Sequence, residues 1–317
     1  MSDKLLHDYN LGEQMNIPVL IKNVVTRTAK TGKQYLAIDF EDKSGEMEGM
    51  YWGVTPEEIE IFVIGTVVQL HATKQMYQGT PQLKIANIKL ATGKVDLKPS
   101  DFITSAPVQR QRMEEEINQV LFSITNPEWN RIVRHLLRKH HDAFYTFPAA
   151  KKNHHAYTGG LAYHTLSIVH LAQKIGPLYP QINQGLLLAG AILHDIGKTL
   201  ELSGPVGTTY TVAGNLLGHI AISDAEIVLA VQDLHLDPND ENIILLRHVI
   251  LAHHGLLEYG SSIRPAILEA EVLHQLDELD ASIEMFTHVA EQTEPGKFSE
   301  RVYALDKRMI YHPKSLD

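Results

Sequence analysis

The stretch Ala191-Ile192-Leu193-His194-Asp195-Ile196-Gly197-Lys198 sets an imidazole and a carboxylate side by side inside an otherwise apolar run. Burying an ionisable group is costly unless the group is paired or binds a metal. The same situation recurs through the second part of the chain. His164 lies in Leu161-Ala162-Tyr163-His164-Thr165, His219 in Leu217-Gly218-His219-Ile220, His253 and His254 in Leu251-Ala252-His253-His254-Gly255, and Asp277 in Leu276-Asp277-Glu278-Leu279-Asp280. One histidine on an apolar helix face is an ordinary core or surface residue, and a lone His-Asp pair arises by chance. The ordered series His, His-Asp, His, His-His, Asp, with every member near apolar helix positions, points instead to a metal centre. Imidazole mixed with carboxylate suits Mn, Fe, Co, Ni or Zn, whereas purely oxygen sites suit Mg or Ca. Lys198 follows His194 by one helical turn and can point at the same site.

Composition narrows the classes. The chain has 317 residues, 18 histidines and no cysteine, and only His7 and His71 precede residue 100. The absence of cysteine excludes disulfides, thiolate metal sites, iron–sulfur clusters and a cysteine nucleophile, and fits a reducing cytoplasm. A net charge of −10 argues against coating nucleic acid by bulk electrostatics. Hydrophobic residues at 44% against 21% charged supply a real core and exclude disorder as the main theme. The apolar run Leu186 to Leu193 is far short of a membrane span, and the first residues lack a secretion signal, so a cytoplasmic protein off the membrane is expected.

Residues 17–90 read as five short strands. Ile17 to Val25 is β-rich. Lys33 to Phe40 alternates, with Leu36, Ile38 and Phe40 on one face and Tyr35, Ala37 and Asp39 on the other. Glu46 to Trp52, Thr66 to Thr73 and Pro81 to Leu90 complete the set, with a helical or loop segment over Pro56 to Phe62. Five strands broken between the third and fourth is the plan of an OB-fold barrel, and an SH3-like barrel competes. Residues 1–16 precede the barrel as an extension, and residues 91–110 form a breaker-rich linker. From about 111 the pattern is helical. Asn126-Pro127-Glu128 starts a helix whose apolar face is Trp129, Ile132, Val133, Leu136 and Leu137. Further helices are expected at 160–175, 181–196, 218–235, 240–254 and 265–290. The fold class is thus multidomain: an all-β barrel, then an all-α domain over 111–310, then a tail over 311–317.

The ligand series resembles the HD-domain phosphohydrolase superfamily across roughly residues 111–310. The extra His219 and His253-His254 resemble its six-ligand, two-metal variant. The Gly-Tyr-Pro mark of the cyclic-dinucleotide branch is missing, since this chain reads Gly255-Leu256-Leu257-Glu258. The whole layout, with Tyr157-Thr158-Gly159-Gly160-Leu161-Ala162-Tyr163-His164-Thr165 at the head of the helical part, is similar to the YhaM-type 3′→5′ exoribonucleases of Gram-positive bacteria. That resemblance implies degradation of single-stranded RNA to nucleoside 5′-monophosphates with two divalent ions, manganese first and Co²⁺, Fe²⁺ or Ni²⁺ as alternatives. It implies His164, His194, Asp195 and Asp277 on one ion and Asp195, His219, His253 and His254 on the other, with Asp195 as the bridge. Asp280, three residues after Asp277, shares its helix face; Asp277 fits the superfamily pattern better. Lys198 would neutralise charge on the phosphate or leaving oxygen, and Glu201 would orient Lys198 or belong to the following turn.

Substrate contacts are expected from a basic stretch. Arg131, Arg134 and Arg138 are spaced to share a helix face, Lys151 follows, and His154 and His155 lead towards His164. In the barrel, Tyr35 is the best outward candidate to stack on a base, and Trp52 could stack or plug the barrel. Single-stranded DNA is a second substrate class, and assembly into a homo-oligomer is open. The competing functions are a phosphodiesterase or phosphatase for small or cyclic nucleotides, which leaves the barrel without a job, and a non-catalytic RNA-binding protein.

Overall fold

The structure is a computed structural model in which residues 4–91, 97–151 and 155–315 are described. His154 and residues 92–96 of the expected linker lie outside them. The chain divides into two compact units, one of Met1–Ser105 with Val206–Thr208 and one of Ala106–Pro205 with Thr209–Asp317.

The first unit is a closed five-stranded barrel. Strands β1 (Gln14–Thr28), β2 (Gln34–Asp42) and β3 (Gly45–Trp52) run antiparallel in sequence order. Helix α1 (Pro56–Ile61) precedes β4 (Val67–Tyr77) and β5 (Thr80–Leu90). The order around the barrel is β1-β2-β3-β5-β4, with β3 parallel to β5 through Gly49↔Leu83 and β4 closing on β1. This topology is OB-like and decides against the SH3-like alternative. β1 pairs with β4 through its first half and with β2 through its second, and a register shift between Ile21 and Asn23 lets it bend from one to the other. α1 begins with a capping box: Thr55 accepts from the Glu58 backbone N–H and donates its own N–H to the Glu58 carboxylate, with Pro56 at the first helical position.

The expected alternation holds for Leu36, Ile38 and Phe40, all in the barrel core. Residues ahead of the strands also belong to that core. Leu6 and Tyr9 are buried in it, next to a short 3₁₀ turn over Leu6–Asp8, and the Leu6 N–H donates to the buried Asp42 carboxylate.

The second unit is helical: α2 (Arg110–Leu121), α3 (Pro127–Lys139), α4 (His141–Thr146), α5 (Gly160–Ile175), α6 (Gln184–Leu193), α7 (Lys198–Glu201), α8 (Val212–Asp233), α9 (Glu241–Ala252) and α10 (Leu268–Glu291). α3 starts as the sequence indicates, with the Asn126 side chain accepting from the Trp129 N–H. α6 is buried from Gly185 to Leu193 and forms the axis of the unit's core, touching α3, α5, α9 and α10. Among the described residues α8 alone is long and apolar enough to cross a membrane, and its inward face packs on the core through Ile227, Ala230 and Val231. Beyond α10 the chain doubles back through the bridge Phe298↔Tyr311, so Tyr311 and His312, expected in a tail, are tied to the helical unit.

Because Leu6 is fully buried and Leu11 is 57% exposed, the two should separate sharply in a stability test. Leu6→Ala is expected to cost about 2–5 kcal/mol, and Leu11→Ala less than about 0.5 kcal/mol. Urea unfolding followed by tryptophan fluorescence of the barrel's Trp52 measures both; equal costs would mean that the N-terminal segment is not part of the barrel core.

Candidate metal centre

The helical unit brings its ionisable residues to one place by ending helices there. His194 caps the C-terminus of α6 and Asp195 follows it. His253 and His254 stand just past the end of α9. His164 and Asp277 come from inside α5 and α10. His219 follows a break inside α8, where Gly218 takes φ +73° and ψ 156°. That left-handed conformation is cheap for glycine and strained for other residues. The break frees the His219 backbone N–H, which donates to the Glu201 carboxylate at 2.9 Å. A second glycine allows close approach, since a Cβ on Gly197 would lie 2.3 Å from the His219 carbonyl oxygen.

Two groups of ligand atoms meet at Asp195. On one side, His164 Nε2 lies 3.1 Å from Asp277 Oδ1, 3.4 Å from His194 Nε2 and 3.6 Å from Asp195 Oδ2, and His194 Nε2 lies 3.3 Å from Asp195 Oδ2. Such spacings match neighbouring ligands around one ion at bond lengths of roughly 2.0–2.2 Å. On the other side, Asp195 Oδ1 lies 3.4 Å from His219 Nε2 and 4.0 Å from His253 Nε2. His219, His253 and His254 offer ligand atoms within 4.8 Å of one another.

Every one of the five imidazoles is held by its other nitrogen. Nδ1 of His194 lies 2.9 Å from the Ala191 carbonyl, and Nδ1 of His253 lies 2.6 Å from the Ile250 carbonyl. Both acceptors are last-turn carbonyls, where a helix end leaves the backbone short of partners, and the Ile250 carbonyl also accepts the His253 backbone N–H at 3.5 Å. Nδ1 of His254 faces the Tyr259 carbonyl at 2.7 Å, that of His164 the Asp280 carboxylate at 2.7 Å, and that of His219 the Glu201 carboxylate at 3.2 Å. A carbonyl or carboxylate can only accept, so Nδ1 carries a proton in each ring and Nε2 is the atom turned towards the other clustered residues. The fit to metal is direct: among the described residues, the buried atoms Asp195 Oδ1, His219 Nε2 and His253 Nε2 have no hydrogen-bond partner. Native proteins rarely leave such atoms unsatisfied unless they have a functional use.

The charges are consistent with this. Burial pushes the Asp195 carboxyl up, but Lys198, His194 and His219 outweigh it and hold it well below the usual carboxylate range. Burial drives His253 and His254 down, keeping both rings neutral at ordinary pH. His164 is the exception: burial lowers it, but Asp277 and Asp280 more than compensate and raise it to about 9. Without an ion its ring therefore carries a proton, which an ion bound there would displace. Lys198 is buried and places Nζ 2.7 Å from Asp195 Oδ2, so it points into the centre as the helical spacing suggests.

Other expected residues are placed differently. His155 is buried, with Nδ1 2.8 Å from the Tyr157 hydroxyl and Nε2 2.8 Å from Asp280. The ring expected to meet phosphate thus has both of its nitrogens engaged inside the protein, beside His164. Glu201 orients His219 and makes no hydrogen bond to Lys198. Asp280, read as the alternative to Asp277, is the shared acceptor of His155 and His164. Arg131 donates to the Leu234 carbonyl and Arg138 is exposed, while Arg134 is half-buried over the Phe122 ring and Lys151 is exposed. A link not foreseen supports α7 from behind: Thr199 Oγ1 lies 3.0 Å from His140 Nδ1, and His140 Nε2 lies 2.6 Å from Glu226. No local sequence pattern marks these partners, because they come from α7, from the junction of α3 and α4, and from α8. In the barrel, Tyr35 stacks on Trp52 with ring centroids 4.2 Å apart, and Trp52 is 59% exposed, so it does not plug the barrel.

This buried His/Asp centre in a helical unit is that of an HD-domain hydrolase, and the HD domain family model matches residues 161–282. A second family model, described as a putative helicase, matches residues 94–180. The chain is 44% identical over 311 residues to the 3′-5′ exoribonuclease YhaM of Listeria welshimeri serovar 6b, covering 98% of this chain and 99% of the relative. It is 43% identical over the same span to the enzyme of that name from Listeria monocytogenes serotype 4b. The chain belongs to the YhaM 3′-5′ exoribonuclease family.

Asp277 as ligand and Asp280 as orienting acceptor are separable by equilibrium dialysis against Mn²⁺. Asp280→Asn should keep the full number of ions with affinity weakened about 10–100-fold, whereas Asp277→Asn should lose an ion; the reverse result would exchange their roles. Calorimetry of Mn²⁺ binding at pH 7.5 in buffers of different ionisation enthalpy should report about one proton released, since His164 is protonated below a pKa of about 9. Release of none would remove His164 from the ligands.

Proposed function

We propose that the protein degrades single-stranded RNA from its 3′ end to nucleoside 5′-monophosphates by two-metal hydrolysis, with Mn²⁺ as the working ion and the cytoplasm as its location. The observation that carries the reading is the split of Asp195: Oδ2 faces His164 and His194, and Oδ1 faces His219 and His253. One carboxylate thus serves two groups of ligands, His164, His194 and Asp277 on one side and His219, His253 and His254 on the other. Bound there, a pair of divalent ions supplies Lewis acidity towards the phosphate and a water-derived nucleophile at neutral pH.

The chain's own residues do the rest. Asp195 fixes the spacing of the two groups. The five Nδ1 anchors hold the rings in one orientation, so little reorganisation is needed when a ligand arrives. Lys198 brings a positive charge into the same enclosure, where it can offset charge on the phosphate or the departing oxygen. With no cysteine in the chain and no serine among the clustered residues, attack by water is the economical reading. The Tyr35–Trp52 stack offers an exposed aromatic surface for an unpaired base. That surface favours a polymeric substrate over a small cyclic nucleotide, which has no use for a barrel.

End-labelled single-stranded RNA with Mn²⁺ tests the reading. Asp195→Asn should bring monophosphate release below a tenth of wild type; retention above that level at matched metal occupancy would sink the two-metal scheme. Lys198→Ala should lower turnover by about 10²–10³ with metal content near wild type. A collapse of metal content would make Lys198 a structural counter-charge instead. Trp52→Ala should weaken RNA binding by roughly 1–3 kcal/mol, read as a shift in a fluorescence-anisotropy titration, and unchanged affinity would take the barrel stack out of substrate capture.

A further inference from the structure

Helix α3 turns Trp129, Ile132, Val133, Leu136 and Leu137 into the core and carries Arg131, Arg134 and Arg138 away from it. Elsewhere Arg110, Arg112, Arg247 and Arg308 each lie against a carboxylate, while Arg27, Arg264 and Arg301 have none among the described residues. The three α3 arginines have no carboxylate partner among the described residues, in a chain with 38 acidic residues against 28 basic ones. Arg131 is occupied by the Leu234 carbonyl. Among the described residues Arg134 and Arg138 make side-chain hydrogen bonds through Nε alone, which donates to Asn130 Oδ1 at 2.8 Å in one and to the Arg134 carbonyl at 3.2 Å in the other, and the Arg134 guanidinium lies over the Phe122 ring. Fixing Nε leaves the two terminal NH₂ groups of each guanidinium as a fork, the shape that grips phosphate in a bidentate way. The helix dipole accounts for Arg138 in the last turn, but Arg134 is a turn earlier, and like charges four residues apart repel.

These two arginines line a cleft of about 330 Å³ with Leu121, Leu137 and Tyr145 as its apolar wall. That volume lies at the small end of ligand clefts, roughly 300–1,000 Å³. Glu114 is the one acid on its lining and is paired with Arg110 at 2.7 Å, so the local balance stays positive. The cleft shares no residue with the metal centre. We infer that it binds a nucleoside 5′-phosphate unit, the phosphate in the forks of Arg134 and Arg138 and the base along the apolar wall. The unit is either a nucleotide of the RNA strand or a released monophosphate; the strand source rests on the exoribonuclease reading.

The test uses the full-length, Mn²⁺-loaded protein, the double variant Arg134→Gln/Arg138→Gln, and Arg112→Gln as a charge control already paired with Glu116. AMP is titrated calorimetrically, and KM is measured for a single-stranded RNA oligomer. A second AMP isotherm present in wild type and missing in the double variant supports the cleft with free monophosphate as the ligand. A KM raised at least fivefold in the double variant, at unchanged metal content and without a second AMP isotherm, supports it with the strand as the ligand. The inference is overturned if the double variant keeps the wild-type AMP isotherms and a KM within twofold, or if Arg112→Gln reproduces its effects. Wild-type protein that releases no monophosphate from RNA would fail the exoribonuclease reading instead, and the AMP titration would still judge the cleft.

Discussion

A single buried carboxylate organises the helical unit. Asp195 is 2% exposed, and an isolated carboxylate at that depth would be protonated or would destabilise the fold. It stays ionised because Lys198 and a ring of histidines surround it. The histidines must in turn be kept from collapsing onto it as ordinary ion pairs. The protein does this by tying each imidazole through Nδ1, so that the Nε2 atoms converge and those of His219 and His253 are left without a hydrogen-bond partner among the described residues. The result is a set of buried lone pairs that a cation completes, and metal binding and local stability become one problem.

The anchors differ in kind, and the difference follows from the helices. His194 and His253 use carbonyls in the last turns of their own helices, so their orientation is a by-product of where α6 and α9 stop. His164 and His219 depend on carboxylates from other elements, Asp280 on α10 and Glu201 on α7. The four-residue helix α7 is therefore held at three points: Lys198 on Asp195, Glu201 on His219, and Thr199 on the His140–Glu226 pair. Burial works to raise the Glu226 carboxyl, but Lys139 and His140 outweigh it and lower it. A helix of one turn has little stability of its own, and these links give it a fixed place.

Much of this was legible in the sequence. Polar residues embedded in apolar runs picked out all seven residues that the structure clusters around Asp195, because burial cost is a local property of the pattern. The alternation of Leu36, Ile38 and Phe40 and the Asn126-Pro127 start were equally local. What escaped was set by contacts across space. Asp280 and Glu201 carry no spacing signal that separates an orienting acceptor from a ligand or a turn residue. His155 looked like part of a basic approach, yet its burial depends on α10 passing over it. Leu6 and Tyr9 join the barrel core from a segment too short to show a period. The helix expected to start at 218 begins at Val212 and breaks at Gly218, where the glycine marks a bend rather than a beginning.

In the function proposed above, the barrel holds a strand and the helical unit cuts it, and the cutting rests on Asp195 serving both groups of residues. Electron paramagnetic resonance of the Mn²⁺-loaded protein, with metal counted on the same sample, reads that arrangement directly. Two ions per chain with the signature of an exchange-coupled pair is the result expected from a shared carboxylate. A single ion per chain, or two ions with the spectrum of isolated Mn²⁺, would contradict it.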